Sequence, residues 1–130
     1  MSQDKKVFEF EQVGDILVLV PHGPFLEFRD NDIRNAYNEA YRRLSEPGAK
    51  HLMVDFSGLD YFGSTFVGIL IRLAKKARGN KGEAVLCHLS DNMMDLLRTL
   101  MLLENPKTDF YWTPYPTRKE ALKALGHAVE

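Results

Sequence analysis

Apolar and polar positions along this chain switch between two periods, and the switches mark out its elements. Val7, Phe8, Glu9, Phe10 and Glu11 alternate as a strand with one wet face. Gly14 and Asp15 follow as a turn, and Ile16, Leu17, Val18, Leu19 and Val20 continue as a mostly buried strand. So short a link predicts an antiparallel hairpin. Pro21, His22, Gly23 and Pro24 then break the pattern. Ile33, Ala36, Tyr37, Ala40, Tyr41 and Leu44 recur at three- and four-residue spacing, which predicts a helix capped by Asp30 or Asn31 and stopped by Pro47 and Gly48.

The second half repeats this rhythm. His51, Leu52, Met53, Val54, Asp55 and Phe56 read as a central strand. A helix from Ser64 buries Val67, Leu70, Leu73, Ala74 and Ala77 and runs out at Gly79 and Asn80. Ala84 to Leu89 is nearly continuous in apolar residues and predicts a further strand. Ser90 or Asp91 caps a short helix carrying Met93, Met94, Leu97, Leu100 and Met101. Phe110, Tyr111 and Trp112 form a last short strand. Thr117, Arg118, Lys119 and Glu120 read as a capping box opening a helix with Ala121, Leu122, Ala124 and Leu125. Right-handed crossovers then predict an α/β domain: a mixed four- to five-stranded sheet with about four helices packed against it.

Composition narrows the function classes. The 130 residues fit one domain, 1–130, and 45% hydrophobic residues supply its core. With 17 Lys+Arg against 18 Asp+Glu, nothing global favours nucleic acid or an anionic membrane. The first residues lack the apolar core of a signal peptide, and no apolar run approaches the roughly 20 residues of a membrane span. These features predict a cytoplasmic protein. The one cysteine, Cys87, excludes an internal disulfide and a multi-cysteine metal site.

The strand ending at Asp55, the loop through Ser57, Gly58, Leu59 and Asp60, and the helix start at Ser64 carry the most chemistry. A hydroxyl there lies beside the unpaired N–H groups of a helix N-terminus, where negative charge is favoured. Capping alone accounts for a serine at this place. A phosphoryl group there would nonetheless be tolerated by the fold and visible to a partner. Tyr61, Phe62 and Phe66 flank the position; they serve as core at a tight turn or as the apolar centre of an interface, joined by Phe25, Leu26, Glu27 and Phe28. An exposed aromatic patch would serve homodimerisation equally well.

Arg72, Lys75, Lys76, Arg78 and Lys81 read as a solvated helix face, with no aromatic residue interleaved in the run. Cys87 and His88, as neighbours in a strand, point to opposite faces and do not share a site. His22, His51 and His127 show no metal spacing, so no metal or cofactor is predicted. Residues 63–68 miss the hydrolase elbow, and no phosphate-loop lysine follows a glycine run. Asp55 and Asp60 flank the loop without further acid–base apparatus, and nothing points to an enzyme.

The element order and the segment from Leu52 to Leu73 resemble a STAS domain, the fold of anti-sigma-factor antagonists and sulfate-transporter tails. The resemblance runs from about Val7 to Leu125. It rests on the strand ending at Asp55, on Ser57, Gly58, Leu59 and Asp60, on the Ser64 helix start, on Val85 and Leu86, on Leu96 and Leu97, and on Glu120, Ala121 and Leu122. It implies that Ser64 matches the serine phosphorylated by a small anti-sigma kinase, with Thr65 at the second hydroxyl. It further implies that Tyr61, Phe62, Gly63, Ser64, Thr65 and Phe66 form the partner-binding surface. Gly63 stands where the family usually has Asp, Phe66 where it often has Gly, and Met101 replaces a frequent Gly. The implied partner is an anti-sigma factor of the serine-kinase type. The alternatives are a cytosolic accessory subunit on the ATPase of a lipid ABC transporter, which Gly63 favours, and a module binding a small anion at the helix start.

Overall fold

A computed structural model of the chain describes residues 7–22, 30–58, 64–103, 107 and 110–126, with residues 30, 64 and 65 described through the backbone alone. Strands β1 (Phe8–Val13) and β2 (Ile16–Pro21) form the expected hairpin, with Val13 opposite Ile16. Gly14, at φ 60°, supplies the left-handed residue that so tight a turn requires. Helix α1 (Asp30–Leu44), strand β3 (His51–Asp55), a single 3-10 turn (Phe56–Gly58) and helix α2 (Ser64–Gly79) follow. Strand β4 (Ala84–Cys87), helix α3 (Asp91–Thr99), strand β5 (Thr113–Tyr115) and helix α4 (Arg118–Ala124) complete the elements among the described residues. The sheet order is β1-β2-β3-β4-β5, antiparallel at β1–β2 and parallel thereafter. The mixed five-stranded sheet and four helices agree with the predicted α/β class.

Alternation along the strands divides the core in two. Leu17, Leu19, Leu52, Val54, Ala84 and Leu86 face one side, where they meet Ile33, Ala40 and Leu44 of α1, Leu70 and Leu73 of α2, and Met93 and Leu97 of α3. Ile16, Val18, Met53, Val85 and Cys87 face the other, against Ala121 and Leu122 of α4 and Leu125 just after it. Because both faces are covered, β3 is buried at all five positions, with the apolar run Leu52, Met53 and Val54 between the buried polar residues His51 and Asp55.

Helices α2 and α3 end alike. After α2, Lys81 sits at φ 65° while its N–H donates to Arg78 O and that of Gly82 to Ala77 O. After α3, Met101 sits at φ 60° while its N–H donates to Arg98 O and that of Leu102 to Leu97 O. Both are Schellman closures with a side chain where glycine is usual, which explains why the replacement of Gly by Met101 falls at this place. Helix α3 therefore stops at Thr99, and Leu100 and Met101 leave the apolar face for solvent, Met101 being 67% exposed. Ser90 Oγ accepts from Met93 N–H and Thr117 Oγ1 from Glu120 N–H, each at 3.2 Å, as the capping signals predict.

Four further expectations are corrected. The last strand is Thr113–Tyr115, three residues beyond the predicted Phe110, Tyr111 and Trp112. Trp112 instead donates its N–H to Leu102 O at 2.7 Å and buries its ring. Pro114 is accommodated because β5 is the sheet edge. Strand β3 ends at Asp55, so Phe56 belongs to the 3-10 turn. Strand β4 ends at Cys87, before His88 and Leu89. Finally, the basic run is interleaved with aromatics in space, though not in sequence. Arg72 lies over Tyr37, Lys75 over Phe110, Lys76 over Tyr41 and Arg78 over Tyr111, at 3.6 to 5.7 Å. Each of these rings thus has one of the protein's own cations over a face.

Candidate functional site

The carboxyl ends of β3 and β4 lie side by side, with Asp55 in register with Cys87. Alternation turns both side chains toward the α4 face, since each lies two residues beyond Met53 or Val85 of that core. Arg118, the first residue of α4, reaches down to this pair. Its Nη2 and Nε donate to Asp55 Oδ2 at 2.9 and 3.2 Å, and its Nη1 donates to Glu11 Oε1 at 2.9 Å. Asp55 Oδ1 accepts from Ser57 N–H at 3.0 Å, which fixes the 3-10 turn that leads toward α2. A carboxylate 6% exposed is thus held by three N–H donors on its two oxygens.

Titration follows this geometry. Burial pushes the Asp55 carboxyl up, but the Ser57 N–H and the Arg118 guanidinium outweigh it and hold the group below its usual value. The neighbouring Cys87 thiol is pushed up to about 12, first by burial and then by the charge of Asp55. Cys87 is therefore a neutral thiol and no ready nucleophile. A cleft of about 440 Å³ opens beside this network, lined by Glu9, Glu11, His22, Ser57 and Arg118 among others. His22 Nε2 and Glu9 Oε2 lie 2.6 Å apart across it.

His88 corrects an expectation. Strand alternation would send it away from Cys87, but β4 ends at Cys87 and His88 adopts φ 59°. That left-handed step turns the imidazole back, and ligand atoms of Asp55, Cys87 and His88 lie within 4.8 Å of one another. The two residues that a two-residue period separates do share one site.

The 3-10 turn carries the chain from this cluster toward α2, whose backbone begins at Ser64. Its first turn holds no acidic side chain, whereas α3 and α4 open with Asp91 and Glu120. The positive end of the α2 dipole is therefore unopposed from within its own first turn. Phe66 is corrected from interface to core: it is 1% exposed and packs against Phe8 and Phe56 with ring centroids 6.0 and 5.9 Å away. Tyr61, Phe62 and Gly63, and the loop of Phe25, Leu26, Glu27 and Phe28, lie outside the described residues.

With this geometry in place, comparison with known proteins is decisive. The family model of the STAS domain matches residues 7–121. The chain belongs to the STAS-domain family. Solved structures agree on the fold of this STAS domain. An anti-sigma-factor antagonist (STAS) domain protein from Planctomyces limnophilus is 20% identical at a TM-score of 0.72, over 92% of this chain and 98% of that one. The anti-sigma factor antagonist SpoIIAA in its unphosphorylated form is 14% identical at 0.73, over 95% and 99%. A serine-to-glutamate variant of RsbS from Moorella thermoacetica is 18% identical at 0.72, over 91% and 93%. No curated protein matches the chain by sequence. Among the described residues, no helix of this STAS domain is long and apolar enough to cross a membrane.

Sequence reasoning missed Arg118 as a site residue and read it only as part of a cap. Its partner Asp55 is 63 positions away, and no local pattern signals so distant an ion pair.

Proposed function

We propose that this STAS domain is a bacterial, cytoplasmic regulator that binds another protein, an anti-sigma factor of the serine-kinase type, and catalyses no reaction itself. Transfer of a phosphoryl group to Ser64, or to Thr65, releases the partner. The observation that carries the reading is the start of α2 at Ser64, with a first turn free of acidic side chains. Negative charge is favoured at such a terminus, so the fold tolerates a phosphoserine of about −1.5 to −2 charge. A partner docked over the same terminus would meet that charge at close range. Each 1.4 kcal/mol of resulting repulsion lowers occupancy about tenfold. SpoIIAA, which shares the fold, is known in unphosphorylated and phosphorylated forms, and this supports the same logic here.

A second reading has its own observation. Gly63 removes the acidic neighbour of the family's phosphorylated serine, which suits a constitutive accessory subunit on the ATPase of a lipid ABC transporter. Pull-downs from the native host with Ser64→Ala and Ser64→Asp baits separate the two. A small ATP-binding kinase kept by Ser64→Ala and lost by Ser64→Asp is the expected result. An ABC ATPase kept equally by both would replace the switch with the transport reading.

A further inference from the structure

The cluster at the ends of β3 and β4 joins a carboxylate, a thiol and an imidazole, three ligand types that suit one class of ion. From this juxtaposition we infer that Asp55, Cys87 and His88 form a binding site for a zinc-class divalent cation, with the fourth position open to water. The inference is independent of any role of Ser64.

Four observations carry it. First, the ligand atoms already lie within 4.8 Å of one another, so modest rotations bring them to the tetrahedral spacing set by metal–ligand lengths of about 2.0–2.3 Å. Second, Asp55 and Cys87 are held by sheet register rather than by a loop, which gives the site two rigid ligands. Third, His88 occupies a left-handed backbone position just past the end of β4. That conformation is unfavourable for a side-chain-bearing residue, and its effect here is to bring the imidazole to the thiol. His88 is exposed, which gives an ion a way in. Fourth, Cys87 is a buried free thiol beside the Asp55 carboxylate. The ion takes the place of the thiol proton, which leaves to solvent as the sulfur–metal bond forms.

The charges balance. A dication between one carboxylate, one thiolate and a neutral imidazole is neutralised, and the Arg118 guanidinium above Asp55 is neutralised by Glu11. Arg118 and the Ser57 N–H then act as outer partners that orient the ligating carboxylate. Thiolate, imidazole and carboxylate together select zinc over magnesium or calcium, which prefer all-oxygen sites.

The test is titration of the full chain, freed of metal by a chelator, with Co²⁺ followed by absorbance, then displacement by Zn²⁺. The expected result is a thiolate-to-cobalt charge-transfer band that saturates at one equivalent and is abolished by Zn²⁺. Cys87→Ser removes the band. His88→Gly, which suits the left-handed backbone and so preserves the fold, weakens binding by more than the roughly 10- to 100-fold cost of losing an outer partner. His22→Ala leaves binding unchanged. Absence of the band in the wild type overturns the inference, as does a band that survives His88→Gly at similar affinity or is lost in His22→Ala. Should Cys87→Ser fail to fold, the His88→Gly and His22→Ala titrations decide alone.

Discussion

The two ends of the parallel sheet each bury a titratable side chain on the α4 face, yet they are built in opposite ways. At the amino end, His51 accepts the Glu83 N–H at Nδ1 over 2.9 Å, so its proton sits on Nε2, 3.8 Å from Asp15 Oδ2. Main-chain atoms and the Asn80 side-chain amide close the rest. Asp15 O accepts from Lys50 and His51 N–H, and the Asn80 amide donates to Leu44 O and Ala49 O. Gly82 passes so near Lys50 that an added Cβ would lie 1.8 Å from its carbonyl oxygen. At the carboxyl end, Asp55 is held by a 3-10 turn and by Arg118, whose side chain remains 32% exposed. One end is fastened largely through backbone groups, the other by a charged side-chain pair that solvent reaches. The second is the end that leads into α2.

The comparison is broken most severely at the amino end. Gly82→Ala forces a main-chain collision that no rotamer relieves, and a loss of roughly 3 kcal/mol or more in denaturant unfolding is expected. Arg118→Ala leaves Asp55 buried without its cation. The expected loss is about 2–3 kcal/mol, below the 3–5 of a fully enclosed pair because solvent reaches the guanidinium. Denaturant midpoints of both variants order the two effects.

Proton linkage sharpens the contrast in the metal-free protein. The folded Asp55 carboxyl lies below its unfolded value of about 3.9, so its stabilisation is complete above that value and is lost as the pH falls through the lower folded one. The Cys87 thiol is shifted the other way. Its stabilisation is complete below the unfolded value of about 8.5 and is lost as the pH rises toward about 12. Unfolding of wild type, Asp55→Asn and Cys87→Ser across this range tests both limbs: the first variant should flatten the acid limb and the second the alkaline one. The smallest effect belongs to Lys81→Gly, which relieves a left-handed backbone at the amino end. It should stabilise by up to about 1 kcal/mol, less what glycine adds to the freedom of the unfolded chain.

Most of the fold was legible because both faces of the sheet are covered and each helix carries one apolar stripe. The failures have physical causes. The buried ring of Trp112 imitates a strand residue, while Pro114 disguises the edge strand that follows it. The start of α2 was legible because a capping residue there precedes a run at helical period. The Asp55–Arg118 pair was not, since tertiary packing alone joins positions 63 apart. Cys87 and His88 were separated by a sound rule that ends one residue early, where the backbone turns left-handed at His88.

Phosphosite mapping bears on the proposed phosphoryl-controlled docking site at the start of α2 without intermediate steps. The purified chain is incubated with ATP and the kinase retained by Ser64→Ala, and its peptides are then mapped by mass spectrometry. One phosphoryl group on Ser64, or on Thr65 beside it, with loss of kinase binding, is the predicted result. A chain that binds the kinase yet gains no phosphate at the start of α2 would contradict the account.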